Sequence, residues 1–299
     1  MTVNLRAYIL FGALLFASHS FSEPLRVTDY SGREISLNKP ATRIVALAPH
    51  IVENIYSAGA GETIVGAVEY CDYPEKAKSI PRVGSFSSFS LETILGLNPD
   101  LVVAWESGRG GRIIAKLESL GITVYGSNPE KLEDVAKSIR DFGILTGRSA
   151  TAKIAAQAYL DKLAALNTDY KNKIPLSVMY QVWNSPIQTL NDQHIISDLM
   201  KLCGASNAFG DLPMVAPKLS VESVISRNPD VIVASGFGEE RPSWLDEWLK
   251  WPMLAAVQKN NLYFIPPDII QRHTTRILDG AELMCRHLDS ARLKSDHTK

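Results

Sequence analysis

Ser90-Leu-Glu-Thr-Ile-Leu-Gly-Leu-Asn-Pro-Asp-Leu-Val-Val-Ala104 and Ser220-Val-Glu-Ser-Val-Ile-Ser-Arg-Asn-Pro-Asp-Val-Ile-Val-Ala234 are two copies of one pattern. They agree at 7 of 15 positions without a gap, and most remaining positions exchange one apolar residue for another. Each copy reads as a short helix, an Asn-Pro-Asp turn and a buried strand. Proline disfavours helix at the asparagine before it, and aspartate suits the turn. The copies start 130 residues apart. A repeat at that distance predicts two similar lobes facing each other across a cleft.

The flanking sequence extends this reading. Upstream, Leu25–Leu37 alternates on both sides of Ser31-Gly32 and predicts a hairpin. Strand patterns at 43–48, 64–68, 101–105 and 122–125 alternate with helix patterns at 51–58, 91–97 and 112–120, and Gly59 is placed to end the first helix. From Ser149 to Lys173 there is neither Gly nor Pro, apolar residues recur at helical spacing, and Pro175 stops the run. One long helix joining the lobes is expected there. Strands at 176–182, 231–234 and 261–265 then alternate with helices at 195–203, 221–226 and 276–288. The expected fold is α/β: two similar lobes with mostly parallel sheets, joined by one long α-helix, with a ligand cleft between them. The expected divisions are 23–148, 149–174 and 175–299.

Composition narrows the function. The chain has 299 residues, 45% hydrophobic and 21% charged, with a net charge of −1. Those values exclude a disordered, collagenous or multi-span membrane protein. No basic stripe exists for nucleic acid, and no polybasic segment for an anionic membrane. Residues 1–22 carry one charge, Arg6, before an apolar run, and small residues precede Glu23, which is the layout of a secretory signal peptide. Export implies an oxidising compartment, in which Cys203 and Cys285 are able to pair, leaving Cys71.

Catalytic signatures are missing. There is no Gly-x-Ser-x-Gly, phosphate loop, His-Glu-x-x-His or Cys-x-x-Cys, and Gly108–Gly111 reads as a plain loop. No catalytic residue is assigned and a binding protein is expected. His50, His194 and His273 fall at element ends, where a cleft would be lined. None shows metal-ligand spacing, so they read as polar lining or caps and no metal site is assigned. Tyr70, Tyr73, Phe86, Phe89, Trp105 and Trp183 gather where strands end, the usual ligand crevice of such sheets. Flat apolar faces there suit a bulky, largely apolar ligand. Glu92 and Glu222 hold the same place in both repeat copies. There they complement a helix dipole or meet a two-fold partner with basic pockets.

Several segments carry a family resemblance: Arg43-Ile-Val-Ala-Leu-Ala-Pro49, Gly66-Ala-Val-Glu-Tyr-Cys-Asp-Tyr-Pro74, Leu101–Trp105, Lys201-Leu-Cys-Gly204 and Arg276–Leu288. Through them the chain resembles periplasmic binding proteins with a rigid inter-lobe helix, which feed importers of cobalamin, haem and ferric siderophores. The cobalamin-binding members are the most similar. The resemblance implies that Tyr70, Phe86 and Trp105 line a corrin site, with tryptophan more usual at the position of Phe86, and that Arg272 lies near the ligand. It implies a Cys203–Cys285 disulfide, and docking of Glu92 and Glu222 onto arginines of an ABC importer's permease dimer. Cobalamin or a related corrinoid would be cargo, with no cofactor, and the carrier a periplasmic monomer. Alternatives are a haem or ferric-siderophore binder of the same fold, or an exported enzyme using the cleft.

Overall fold

The computed structural model describes residues 23–85, 88–107, 111–236, 238 and 240–296. The signal peptide expected over 1–22, Phe86, and Gly108 to Gly110 of the glycine-rich loop lie outside these residues. Two four-stranded parallel sheets form the frame. The first runs in spatial order Ile64–Ala67, Ile44–Ala46, Leu101–Trp105, Val124–Ser127. The second runs Ala205–Asn207, Leu176–Gln181, Val231–Ala234, Leu262–Phe264. Counted along the chain, both orders are second, first, third, fourth. The repeat is therefore one of topology as well as sequence.

Apolar runs make these strands because helices cover both faces of a parallel sheet. All of Leu101, Val102, Val103 and Ala104 are buried. In the second sheet the two faces separate at a period of two. Val178, Tyr180, Val231 and Val233 join the large core shared with the first lobe, while Met179, Ile232 and Ala234 enter a second cluster around Phe209, Leu245 and Trp248.

The repeat copies use their shared polar residues in the same roles. Ser90 Oγ accepts the Thr93 N–H at 3.2 Å, and Ser220 Oγ accepts the Ser223 N–H at 3.2 Å, so each serine caps its helix. Asn98 and Asn228 both take the left-handed backbone, at φ 44°. The aspartates do more than turn the chain. Asp100 accepts the N–H groups of Thr42 and Arg43, each at 3.0 Å, and Asp230 accepts that of Ser177 at 3.0 Å. Each aspartate thereby ties the start of its sheet's third strand to the start of the first.

The inter-lobe helix is Ser149–Tyr170, 22 residues and about 33 Å long. It ends four residues short of the expected boundary, and the chain turns through Lys173, whose N–H reaches the Tyr170 carbonyl at 3.1 Å. Ala152, Ala156, Tyr159, Leu163 and Leu166 form its buried stripe. A second helix, Leu132–Leu145, lies along it and was not anticipated. The two approach closely at Gly143, where an added Cβ would lie 2.2 Å from that of Ala152. Tyr159 also donates to the Leu132 carbonyl at 2.8 Å.

Other departures are local. The strand expected at 122–125 forms at Val124–Ser127, and the last helix extends over Ile277–Asp296. A short antiparallel sheet of Trp183–Asn184, Ile187–Gln188 and Lys218–Leu219 is an addition of the second lobe. The hairpin forms between Leu25–Thr28 and Glu34–Leu37, with Gly32 at φ 79° in its turn. Cys203 and Cys285 are disulfide-bonded, joining the end of helix Ile195–Leu202 to the last helix, and Cys71 is free and buried. Among the described residues no helix is long and apolar enough to cross a membrane.

Candidate functional site

In an open parallel sheet the crevice lies outside the strand C-termini, where the strand order reverses. In the first lobe that place is between Ile44–Ala46 and Leu101–Trp105. The residues leaving these two strands are His50, on the first turn of helix Pro49–Ser57, and Trp105. Their rings meet edge to face at 5.4 Å between centroids. The equivalent position of the second lobe lies between Leu176–Gln181 and Val231–Ala234, whose continuations are Trp183 and Ser235.

Segment 272–276 of the second lobe closes against this corner. His273 lies 6.1 Å from His50, 6.4 Å from Trp105 and 5.6 Å from His194, centroid to centroid. Three histidines from three distant parts of the chain thus converge beside one tryptophan. Each is anchored separately. His273 Nδ1 lies 2.8 Å from the Pro129 carbonyl, His194 Nδ1 accepts the Ile196 N–H at 3.2 Å as an N-cap, and His50 Nε2 lies 3.5 Å from Ser127 Oγ. Burial expels the proton from all three. His50 and His194 are pushed down to about 3 and His273 to about 4, with His273 adding to the shift of the other two.

Beside the histidines lies an ion cluster that spans the lobes. Glu53, 3% exposed, accepts from Arg272 at 2.9 Å, Thr274 at 2.9 Å and Arg276 at 3.4 Å. Arg272 also binds Asp72 at 2.8 Å and Asp268 at 2.9 Å. Asn54 Nδ2 donates to the His273 carbonyl at 3.0 Å. Helix Pro49–Ser57 is thereby fastened to the segment before the last helix, a polar connection between the lobes in addition to the long helix and the shared core. Burial raises the Glu53 pKa, against the pull of Arg272, Arg276 and Thr274. Burial alone would loosen the Arg272 proton, but Asp72 and Glu53 outweigh it and hold that pKa above its ordinary value.

The aromatic residues sort by exposure. Tyr70 is 72% exposed on a left-handed backbone, φ 64°, uncommon for a non-glycine residue. Tyr73 is exposed, with the Arg276 guanidinium 4.1 Å from its ring centroid. Trp105 is half-buried, Phe89 packs against the core and Trp183 is exposed. Near the end of strand Leu176–Gln181, a cavity of about 290 Å³ is lined by Gln181, Trp244, Trp248 and Trp251, and Trp248 Nε1 donates to Gln181 Oε1 at 2.7 Å. A larger cavity of about 660 Å³, between Lys131, Leu163 and Lys201, touches none of the residues expected at the site.

Of the residues expected from sequence, Trp105 lies at the crevice. Arg272 lies in the ion cluster with its charge already met by three carboxylates. Glu92 and Glu222 are both exposed on the first turns of their capped helices. The ion cluster was missed. Its signal is Glu53 itself, a carboxylate inside the apolar run Ile51-Val-Glu-Asn-Ile55, because a charge there needs a buried partner.

A family model described as "Periplasmic binding protein" matches residues 44–269. The Vitamin B12-binding protein of Vibrio cholerae serotype O1 is 36% identical over 253 residues, covering 84% of this chain and 91% of that protein. The Vitamin B12-binding protein of Vibrio campbellii is 33% identical over 274 residues, covering 92% and 98%. Among solved structures, the periplasmic Vitamin B12 binding protein BtuF of Vibrio cholerae superposes with a TM-score of 0.78 at 35% identity, covering 85% of this chain and 98% of that one.

Proposed function

This chain belongs to the periplasmic binding protein family, and we propose that it captures cobalamin in the periplasm and delivers it to an ABC-type importer of the inner membrane. The observation that carries the reading is the half-buried Trp105 at the strand-order reversal, in a chain whose relatives are named for vitamin B12. Trp105 would bury the apolar surface of the macrocycle, and Tyr70 would extend that wall outward. Phe86 is assigned to the same wall from sequence. Arg272, with Asp72 and Asp268, would face the amide groups at the macrocycle edge. The long helix and the Glu53 cluster keep the two walls at a nearly fixed separation, so capture needs little closure.

Glu92 and Glu222 are the proposed contacts with the permease dimer, one from each lobe, carried by a monomeric carrier. Each stands on the first turn of a serine-capped helix, whose positive end favours a nearby negative charge. The proposed role is transport without turnover, and no cofactor enters it.

Titration of the mature chain with cyanocobalamin, followed by tryptophan fluorescence, tests the ligand. One-to-one quenching by cyanocobalamin, with haemin and a ferric siderophore silent, is expected. Quenching by an iron complex alone would overturn the cobalamin assignment. For docking, the double substitution E92K/E222K should abolish uptake by cells while leaving quenching intact.

A further inference from the structure

We propose that His273 Nε2 is an axial ligand for the cobalt of the captured corrinoid, taking the position of an exchangeable water. The inference rests on the cobalamin reading above.

Hydrogen bonding sets the two outer imidazoles in opposite tautomers. The Pro129 carbonyl can only accept, so His273 Nδ1 carries the proton and Nε2 keeps a lone pair. His194 is reversed, because its Nδ1 accepts the Ile196 N–H and the neutral ring's proton is then on Nε2. At His50, Nε2 faces the Ser127 hydroxyl, which can take either role. Of the three, His273 is the ring whose partner leaves Nε2 as an acceptor, and no residue described here hydrogen-bonds to that atom. His273 is a buried residue, 9% exposed, whose ring lies beside Trp105. A carbonyl on the opposite nitrogen is the arrangement that orients a ligating imidazole and raises its basicity.

The surroundings select the kind of metal. Among the described residues no three His, Cys, Asp or Glu side chains are arranged to hold a metal ion. One imidazole is too little for a free ion. It suffices for a metal whose equatorial positions are already filled by a macrocycle and whose axial position holds water. On binding aquacobalamin, the cobalt–oxygen bond breaks, water leaves and a cobalt–nitrogen bond forms. His273 Nδ1 keeps its proton and the cobalt stays Co(III), so no oxidant or base is needed. Cyanocobalamin, whose upper ligand does not exchange readily, would bind without this bond.

Two measurements test this on the full mature chain. Aquacobalamin should bind more tightly than cyanocobalamin by about tenfold or more, with a visible spectrum of nitrogen-ligated cobalt. Both effects should vanish in H273A. If H273A does not fold, the unaltered chain still decides. Cob(II)inamide brings no base of its own, so an axial nitrogen seen by electron paramagnetic resonance must come from the protein. The cobalt lines should split into triplets, and into doublets when the chain carries ¹⁵N-histidine. Corrinoid binding without that splitting overturns the inference and leaves the proposed function standing. Splitting that survives H273A and disappears in H50A also overturns it. Absence of any corrinoid binding overturns the proposed function itself.

Discussion

The two lobes share a strand order, a helix cap, a left-handed asparagine and an aspartate clamp, yet they part at the next residue. After the common Val-Ala ending of the repeat, the first lobe continues with Trp105 and the second with Ser235. Trp105 stands half-buried beside the histidines, whereas Ser235 is fully buried, its carbonyl accepting from Gln271 at 2.8 Å. The second lobe supplies its aromatics elsewhere, with Trp183 after the first strand and Trp244, Trp248 and Trp251 around a cavity. Duplicated polar positions hold the two scaffolds alike, and the divergent residues stand where each sheet opens onto the cleft. Specificity can change there without disturbing the frame.

The largest expected effect comes from breaking the contact that joins the lobes. E53A would leave Arg272 and Arg276 near a buried site with less counter-charge, and Arg272 is only 13% exposed. Loss of one partner of a buried pair costs about 3–5 kcal/mol. Urea denaturation should show that loss. The exposed pair Arg26–Glu34, 2.8 Å apart on the hairpin, is the contrast, and E34A should cost about 1 kcal/mol or less.

Acid should act on the histidine corner next. His50, His194 and His273 have folded pKa values depressed below the ordinary 6.5, so the unfolded chain binds more protons below that pH. Their contribution is complete above about pH 6.5 and is lost as pH falls toward 3–4. At pH 5 each should cost about 2 kcal/mol, at roughly 1.4 kcal/mol per pH unit. Stability measured between pH 7 and pH 5 checks this. H194N keeps a helix cap and should remove about a third of the slope.

The aspartate clamps sharpen the comparison between lobes. Asp100 receives two backbone N–H groups and the Thr42 hydroxyl, whereas Asp230 receives one backbone N–H. D100A should therefore destabilise by about 2 kcal/mol and D230A by about 1 kcal/mol. Equal losses would mean that the two clamps are not distinguished by their hydrogen-bond number.

Most of the frame was legible because it is written in local pattern. Apolar runs marked the strands, the absence of Gly and Pro marked the long helix, and the repeat announced the second lobe. Helix Leu132–Leu145 carried a readable signal too, since Leu132, Val135, Ala136, Ile139, Phe142 and Leu145 recur at helical spacing. The corner of the site was not legible in this way. His50, His194 and His273 are more than 70 residues apart, and Glu53 meets Arg272 across 219 positions. Their association exists only once both sheets have formed. The aspartates lie between these cases: sequence marked them as turn residues, and the structure adds their hold on a neighbouring strand.

The smallest expected change in stability is at Tyr70, and it separates scaffold from site. Y70A removes a side chain that is largely in solvent, so folding stability should move by no more than about 0.5 kcal/mol. Replacement by alanine also removes a residue whose left-handed backbone resists any Cβ-bearing side chain, and alanine inherits that resistance unchanged. Any larger effect must then appear in binding. If Tyr70 extends the wall begun by Trp105, cyanocobalamin should bind more weakly to Y70A by about tenfold, or roughly 1.4 kcal/mol. W105A, at the half-buried end of the same wall, should weaken binding and stability together. A Y70A chain that binds cyanocobalamin as tightly as the unaltered protein would confine the aromatic wall to the half-buried corner around Trp105.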